Sequence, residues 1–362
     1  MEILLISTVL LVYSSMLIRA QVPPLNAPAT FVLGDSLVDP GNNNYIPTIA
    51  RSNFYPNGID FPTGQATGRF CNGRTVADVI AQLLNQPFLP PYLAPSTRGS
   101  AILQGVNYAS AAAGILDGTG ANYIGRISLN KQLEFFQDTQ TEFQELLTPS
   151  YAAQVFQKSI YFIAIGSNDY INNYLLPESA TRPFYTPQQY EDYLISELSR
   201  QLTLLYNLGA RKICVFNVGP LGCIPSQLAQ NNVQDGSCID YINGYVQGFN
   251  RAAGSLLNTL SGQLPGSMFV YGNAYDLVMD KVLQPANYGL INVNTGCCGL
   301  GRYNGQIPCV PGINPCAERG EYLFWDPFHP TDAVNAQLAK SFFSGPTSTI
   351  SPVNIKQLAA MP

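Results

Sequence analysis

Thr30-Phe31-Val32-Leu33-Gly34-Asp35-Ser36-Leu37 opens with a short run that is apolar or β-branched on both faces, then breaks at a glycine, an acid and a serine. A run of that kind, without alternation, reads as a strand of a parallel sheet covered on both sides. Three more runs match it: Ile160-Tyr161-Phe162-Ile163-Ala164-Ile165, Ile213-Cys214-Val215-Phe216 and Met268-Phe269-Val270-Tyr271. Helical stretches separate them. Thr186-Pro187-Gln188-Gln189 reads as an N-cap, a proline at the first helical position and a capping-box partner. Leu194, Leu198, Leu202 and Leu205 follow on one face, and Gly209 stops the helix. Residues 239–260 repeat the pattern with Ile242, Tyr245, Phe249, Ala253, Leu256 and Leu260, and residues 331–343 form a final short helix. This alternation predicts a doubly wound α/β/α domain, whose active groups sit on loops at the carboxyl ends of the strands.

Three of the four runs can then be read for chemistry at their ends. Ser36 leaves the first run on a turn, with its hydroxyl exposed and its backbone held. Read alone, Gly-Asp-Ser is also an ordinary turn. Gly166-Ser167-Asn168-Asp169 follows the second run, where Asn168 can offer its side-chain N–H to a developing oxyanion or simply occupy a turn. Asp169 reads as a structural turn residue. The small residues from Gly105 to Gly114 permit close backbone approach, and the Gly114 N–H could join the same oxyanion site. Only one histidine occurs, His329, within Trp325-Asp326-Pro327-Phe328-His329-Pro330. Serine needs a base, and histidine is the usual one near neutral pH. Asp326, three residues earlier, can reach back to Nδ1 and leave Nε2 for the serine. A single histidine also excludes paired-histidine zinc sites, so neither a metal nor another cofactor is expected.

The chain has 362 residues, enough for one α/β domain with insertions. Only 11% are charged and the net charge is −5, with no Lys/Arg block, which argues against nucleic-acid binding. Residues 1–20 read as a secretory signal peptide, apolar to Ile18 and ending in Ala20, although Glu2 stands where a basic residue is usual. An uncleaved anchor is the competing reading, for which the run is slightly short. No second apolar span follows, so residues 21–362 are expected as one secreted, extracellular domain without a transmembrane segment. Cys223, Cys238, Cys297, Cys298, Cys309 and Cys316 cluster late in Gly/Pro/Asn-rich sequence that would gain from cross-links. Cys214, inside a strand-like run, reads as a buried free thiol, and Cys71 is ambiguous.

Taken together, Gly-Asp-Ser-Leu, Asn-x-Ala-Ser…Gly, Gly-x-Asn-Asp and Asp-x-x-His resemble the SGNH hydrolases, and more closely the plant GDSL esterase/lipase family. Gly41-Asn42-Asn43-Asn44, Gly68-Arg69-Phe70, Gly219-Pro220-Leu221-Gly222-Cys223-Ile224-Pro225 and Cys297-Cys298-Gly299 add to the likeness. It runs from about Phe31 to Phe343, nearly all of the expected mature chain. The resemblance implies the three-layer, flavodoxin-like SGNH fold with about five parallel strands. It implies hydrolysis of small-molecule or lipid esters through an acyl-enzyme. Ser36 would be the nucleophile, His329 the general base and acid, and Asp326 its orienting carboxylate. The Ser36 N–H, the Gly114 N–H and Asn168 would form the oxyanion hole. Acyl transfer from the same site and a catalytically idle binding protein are the rival readings. The α/β-hydrolase fold is disfavoured, because no serine has glycine at both −2 and +2.

Overall fold

The computed structural model describes residues 27–362. The expected signal peptide lies outside them. Five strands form a parallel sheet: β1 (Thr30–Gly34), β2 (Gly105–Asn107), β3 (Ile160–Ala164), β4 (Lys212–Phe216) and β5 (Met268–Gly272). Two further strands, β6 (Asn292–Gly296) and β7 (Tyr322–Phe324), pair in a separate ribbon, and β8 (Ile350–Ser351) joins the main sheet antiparallel at the β5 edge. The order is β2-β1-β3-β4-β5-β8. Four of the five parallel strands are the four apolar runs. β2, only three residues long, lies in the segment read as close packing, and β8 and the helix Ile355–Ala360 extend the chain beyond the helix expected to be last.

Strand alternation distributes the core. Phe31 and its register partner Tyr161 point to one face, where Phe31 meets Phe136 and Phe156 of the helices Leu129–Leu146 and Pro149–Lys158. Phe162 and Phe216 point to the other, where Phe216 lies 4.6 Å from Phe342 of the helix Asp332–Ser344. Helices therefore cover both faces, as the unbroken apolar strands require. The helix Pro187–Asn207 has the expected Thr186/Gln189 capping box, and Leu194, Leu198, Leu202 and Leu205 are buried. In the helix Asp240–Gln263, Val246 and Leu257 are buried where Tyr245 and Leu256 were expected, and the latter two are only partly covered.

The six late cysteines pair as Cys223–Cys238, Cys297–Cys316 and Cys298–Cys309, while Cys71 and Cys214 are buried free thiols. Among the described residues no helix is long and apolar enough to cross a membrane.

Candidate active site

Because β2 lies on one side of β1 and β3 on the other, the chain direction around the sheet reverses at β1, and the carboxyl ends of β1 and β3 flank the crevice where doubly wound folds bind ligands. Ser36 stands there. A Cβ on Gly34 would lie 2.3 Å from the Ala164 carbonyl oxygen, so only glycine lets the ends of β1 and β3 approach this closely. The next residue locks on: the Asp35 N–H donates to that same oxygen at 3.0 Å. Buried Gln132 clamps Gly34 from the helix side, accepting its N–H and donating to its carbonyl, both at 2.8 Å. Asp35 Oδ1 accepts the Leu37 N–H at 3.0 Å, closing the turn around Ser36.

The histidine arrives from β7. Trp325, fully buried, donates its backbone N–H to the His329 carbonyl at 2.7 Å and closes the loop. Asp326 Oδ1 accepts the N–H groups of Phe328 and His329, each at 2.8 Å, and both carboxylate oxygens lie 2.8 Å from His329 Nδ1. Nε2 then faces Ser36 Oγ at 2.7 Å. With the Nδ1 proton donated to Asp326, Nε2 is free to accept from the hydroxyl. Asp326 and His329 are both buried, and the rings of Phe70 and Phe328 flank the imidazole. The Cys297 and Cys298 N–H groups donate to the Phe324 and Trp325 carbonyls, so two disulfides are anchored to the strand that delivers Asp326.

Asn168 also reaches this crevice. It is buried, lines both cavities that Ser36 lines, donates Nδ2 to the Ala113 carbonyl at 2.9 Å and accepts from Asn172 at 2.6 Å, which leaves one of its two amide N–H groups uncommitted. Gly114 lines neither cavity that Ser36 lines, and a Cβ there would meet Thr119 Cγ2 at 2.4 Å and Asp169 Oδ1 at 2.6 Å. Its missing side chain makes room for Asp169. Ala112 lines the Ser36 cavity instead, at φ 66°, a left-handed conformation uncommon for a residue with a Cβ. Among the described residues neither the Ser36 nor the Ala112 N–H has an acceptor.

Buried polar residues hold this loop in place. Asp39 accepts the N–H groups of Gly41, Asn42 and Ala111. Asn42 donates to the Asn107 and Ala109 carbonyls, and Asn43 to those of Ala50 and Ala111. Asp169 accepts from the Ile115 and Leu116 N–H groups and the Thr119 hydroxyl, a structural role as expected but across the chain rather than within its own turn. Sequence reasoning assigned nothing to Gln132, Asp39, Asn42 or Asn43. The available signal was a glutamine on the apolar face formed by Leu129, Leu133 and Phe136. Burial pushes the carboxyls of Asp39 and Asp169 up to about 6. Asp35, with one oxygen lacking any partner, is pushed by burial up to about 7.

The profile of the GDSL-like lipase/acylhydrolase family matches residues 30–342. The chain is 50% identical over 344 residues to GDSL esterase/lipase 7 of Arabidopsis thaliana, covering 92% of this chain and 93% of that one. Two other Arabidopsis thaliana GDSL esterase/lipases are each 47% identical. Their alignments cover 92% of this chain in both cases, and 89% and 86% of their own lengths.

Proposed function

The chain belongs to the GDSL-like lipase/acylhydrolase family, whose members are carboxylic ester hydrolases, and from that premise we propose a secreted esterase/lipase acting through an acyl-enzyme on Ser36. His329 Nε2 takes the Ser36 proton as Oγ attacks the ester carbonyl. The tetrahedral oxyanion is met by the Ser36 N–H, the Ala112 N–H in place of Gly114, and the free Asn168 amide N–H. Collapse expels the alcohol, which takes its proton from His329. Water then repeats the sequence on the acyl-enzyme and releases the acid. Asp326 holds the Nδ1–H tautomer throughout and offsets the imidazolium charge.

The observation that carries this reading is the unbroken chain Ser36 Oγ–His329 Nε2 at 2.7 Å and His329 Nδ1–Asp326 at 2.8 Å, at the switch point of the sheet. The paired late cysteines support export, since such bonds persist in oxidising compartments. Reaction with a fluorophosphonate followed by peptide mass spectrometry tests the site: one adduct on Ser36 is expected, absent in Ser36→Ala. An adduct on another residue, or none, overturns it.

A further inference from the structure

Two cavities meet at Ser36, Asn168, Ile171, Phe328 and His329. They differ in chemistry. The first, enclosing about 1020 Å³ with its mouth, runs under the carboxyl ends of the sheet strands. Its wall passes from Leu37 after β1 to Ile165 after β3, Phe216 on β4, and Val278 on the helix Ala274–Leu283 that follows β5. Leu338 and Phe342 close it from the helix Asp332–Ser344. Phe216, Val278, Leu338 and Phe342 are all buried. Away from the junction at Asn168, the asparagines in this wall, Asn217 and Asn335, spend their amide groups on neighbouring protein atoms. A space so lined offers water few partners and favours an apolar occupant. The second cavity is less uniformly apolar: buried Ala50, Ala111 and Ala112 line it, but exposed Ile49, Arg51 and Val310 stand on its rim.

We propose that the first cavity is the acyl site, selecting esters of extended straight-chain acids with Phe216 and Phe342 as its floor, and that the alcohol portion lies in the second. The assignment rests on the esterase reading above. The acyl chain stays on Ser36 through both half-reactions and so takes the side with the more apolar wall, while alcohol and water pass by the side rimmed by exposed Ile49, Arg51 and Val310. From β1 to β5 the cavity crosses three strand spacings, about 14 Å, which an extended chain of about ten carbons fills. Gly272 fixes the floor: a Cβ there would meet the Phe216 ring at 2.5 Å and the Phe342 ring at 3.4 Å.

The test is kcat/KM for p-nitrophenyl esters from acetate to palmitate. Each methylene buried in such a site raises kcat/KM by up to about fourfold, so octanoate should exceed acetate by at least ~100-fold. Val278→Phe, which fills the cavity, should cut the octanoate-to-acetate ratio tenfold or more. Phe342→Ala, which lowers the floor, should move the best chain length up by two carbons or more. Two opposite shifts cannot both come from misfolding. A flat series, or a ratio lowered by Ala50→Phe in the second cavity but by neither of these variants, overturns the assignment. Labelling by fluorophosphonates bearing an ethyl or an octyl chain on phosphorus separates the two levels of the argument. Faster reaction of Ser36 with the octyl reagent supports the acyl site. Equal rates sink the acyl site alone, and no labelling by either sinks the esterase reading with it.

Discussion

Asp326 grips His329 twice, accepting its backbone N–H at 2.8 Å with the same Oδ1 that lies 2.8 Å from its ring Nδ1. One carboxylate thus fixes both the path of the loop and the tautomer of the imidazole. In Asp326→Asn an amide N–H can face Nδ1, moving the imidazole proton to Nε2 and leaving no acceptor for the Ser36 hydroxyl. Steady-state assays on p-nitrophenyl butyrate should show kcat lowered by about 10³–10⁴. A loss below tenfold would mean that the histidine needs no such partner.

Asn168, proposed above as an oxyanion donor, also holds the Ala113 carbonyl with its amide. Asn168→Ala should lower kcat by about 10²–10³ with KM little changed, as loss of an oxyanion donor does. Asn172→Ala, which removes only the bond to Asn168 Oδ1, should cost less. An effect confined to KM would make Asn168 a substrate-binding residue.

The pH dependence of the rate has a direction. His329 must be neutral to accept the serine proton, so kcat/KM should rise with pH along its titration, which NMR can follow on the single imidazole. Besides that imidazole the structure holds three carboxyls that burial raises, Asp35 to about 7 and Asp39 and Asp169 to about 6. Asp35→Asn separates them. The acidic limb should persist in this variant, and its disappearance with the imidazole titration intact would assign the limb to Asp35.

Asp35 also sets a stability trend. Its folded-state value of about 7 stands above the ordinary 3.8, because burial disfavours the carboxylate. The fold therefore binds a proton that the unfolded chain has released, and this contribution is full below about pH 4 and is lost as pH rises through 7. Its ceiling is about 4 kcal/mol. Asp78, held low by Arg69 despite its burial, and Asp60, held low by Arg319, act in the opposite sense at the acid end, where pH falls below the usual carboxylate range. Thermal melts between pH 5 and 8 should show Tm declining in the wild type and declining less in Asp35→Asn. Parallel curves would mean that Asp35 does not couple to folding in this range.

Much of this was readable because strand ends and motifs coincide. Apolar runs with both faces covered located β1, β3, β4 and β5, and the residues just past β1 and β3 are Ser36 and the Asn168 turn. β2 escaped because its three residues, Gly105, Val106 and Asn107, carry no run to recognise, and β8 because two residues make no pattern. Gly114 has a second physical role that the sequence does not announce. A glycine in a catalytic loop is read as exposing its backbone, whereas here its lack of a Cβ makes space for the Asp169 carboxylate. Ala112 holds the left-handed turn that glycine would adopt more easily. The clamps from Gln132 to Gly34 and from Asp39, Asn42 and Asn43 to Asn107, Ala109 and Ala111 join positions 65 to 98 residues apart, and local sequence hints only at the glutamine on its apolar helix face.

Ser36 and His329 stand 293 residues apart, and the loop that brings the histidine is tied to disulfides formed from Cys297 onward. A ribosome adding about 5–20 residues per second makes the serine roughly 15–60 s before the histidine exists. On the secreted-esterase reading proposed above, the growing polypeptide carries its nucleophile unarmed past the ester-rich bilayer, and hydrolytic power waits until the last fifth of the chain has been delivered and oxidised, so that the order of synthesis would itself be a safety catch on the membrane of the producing cell.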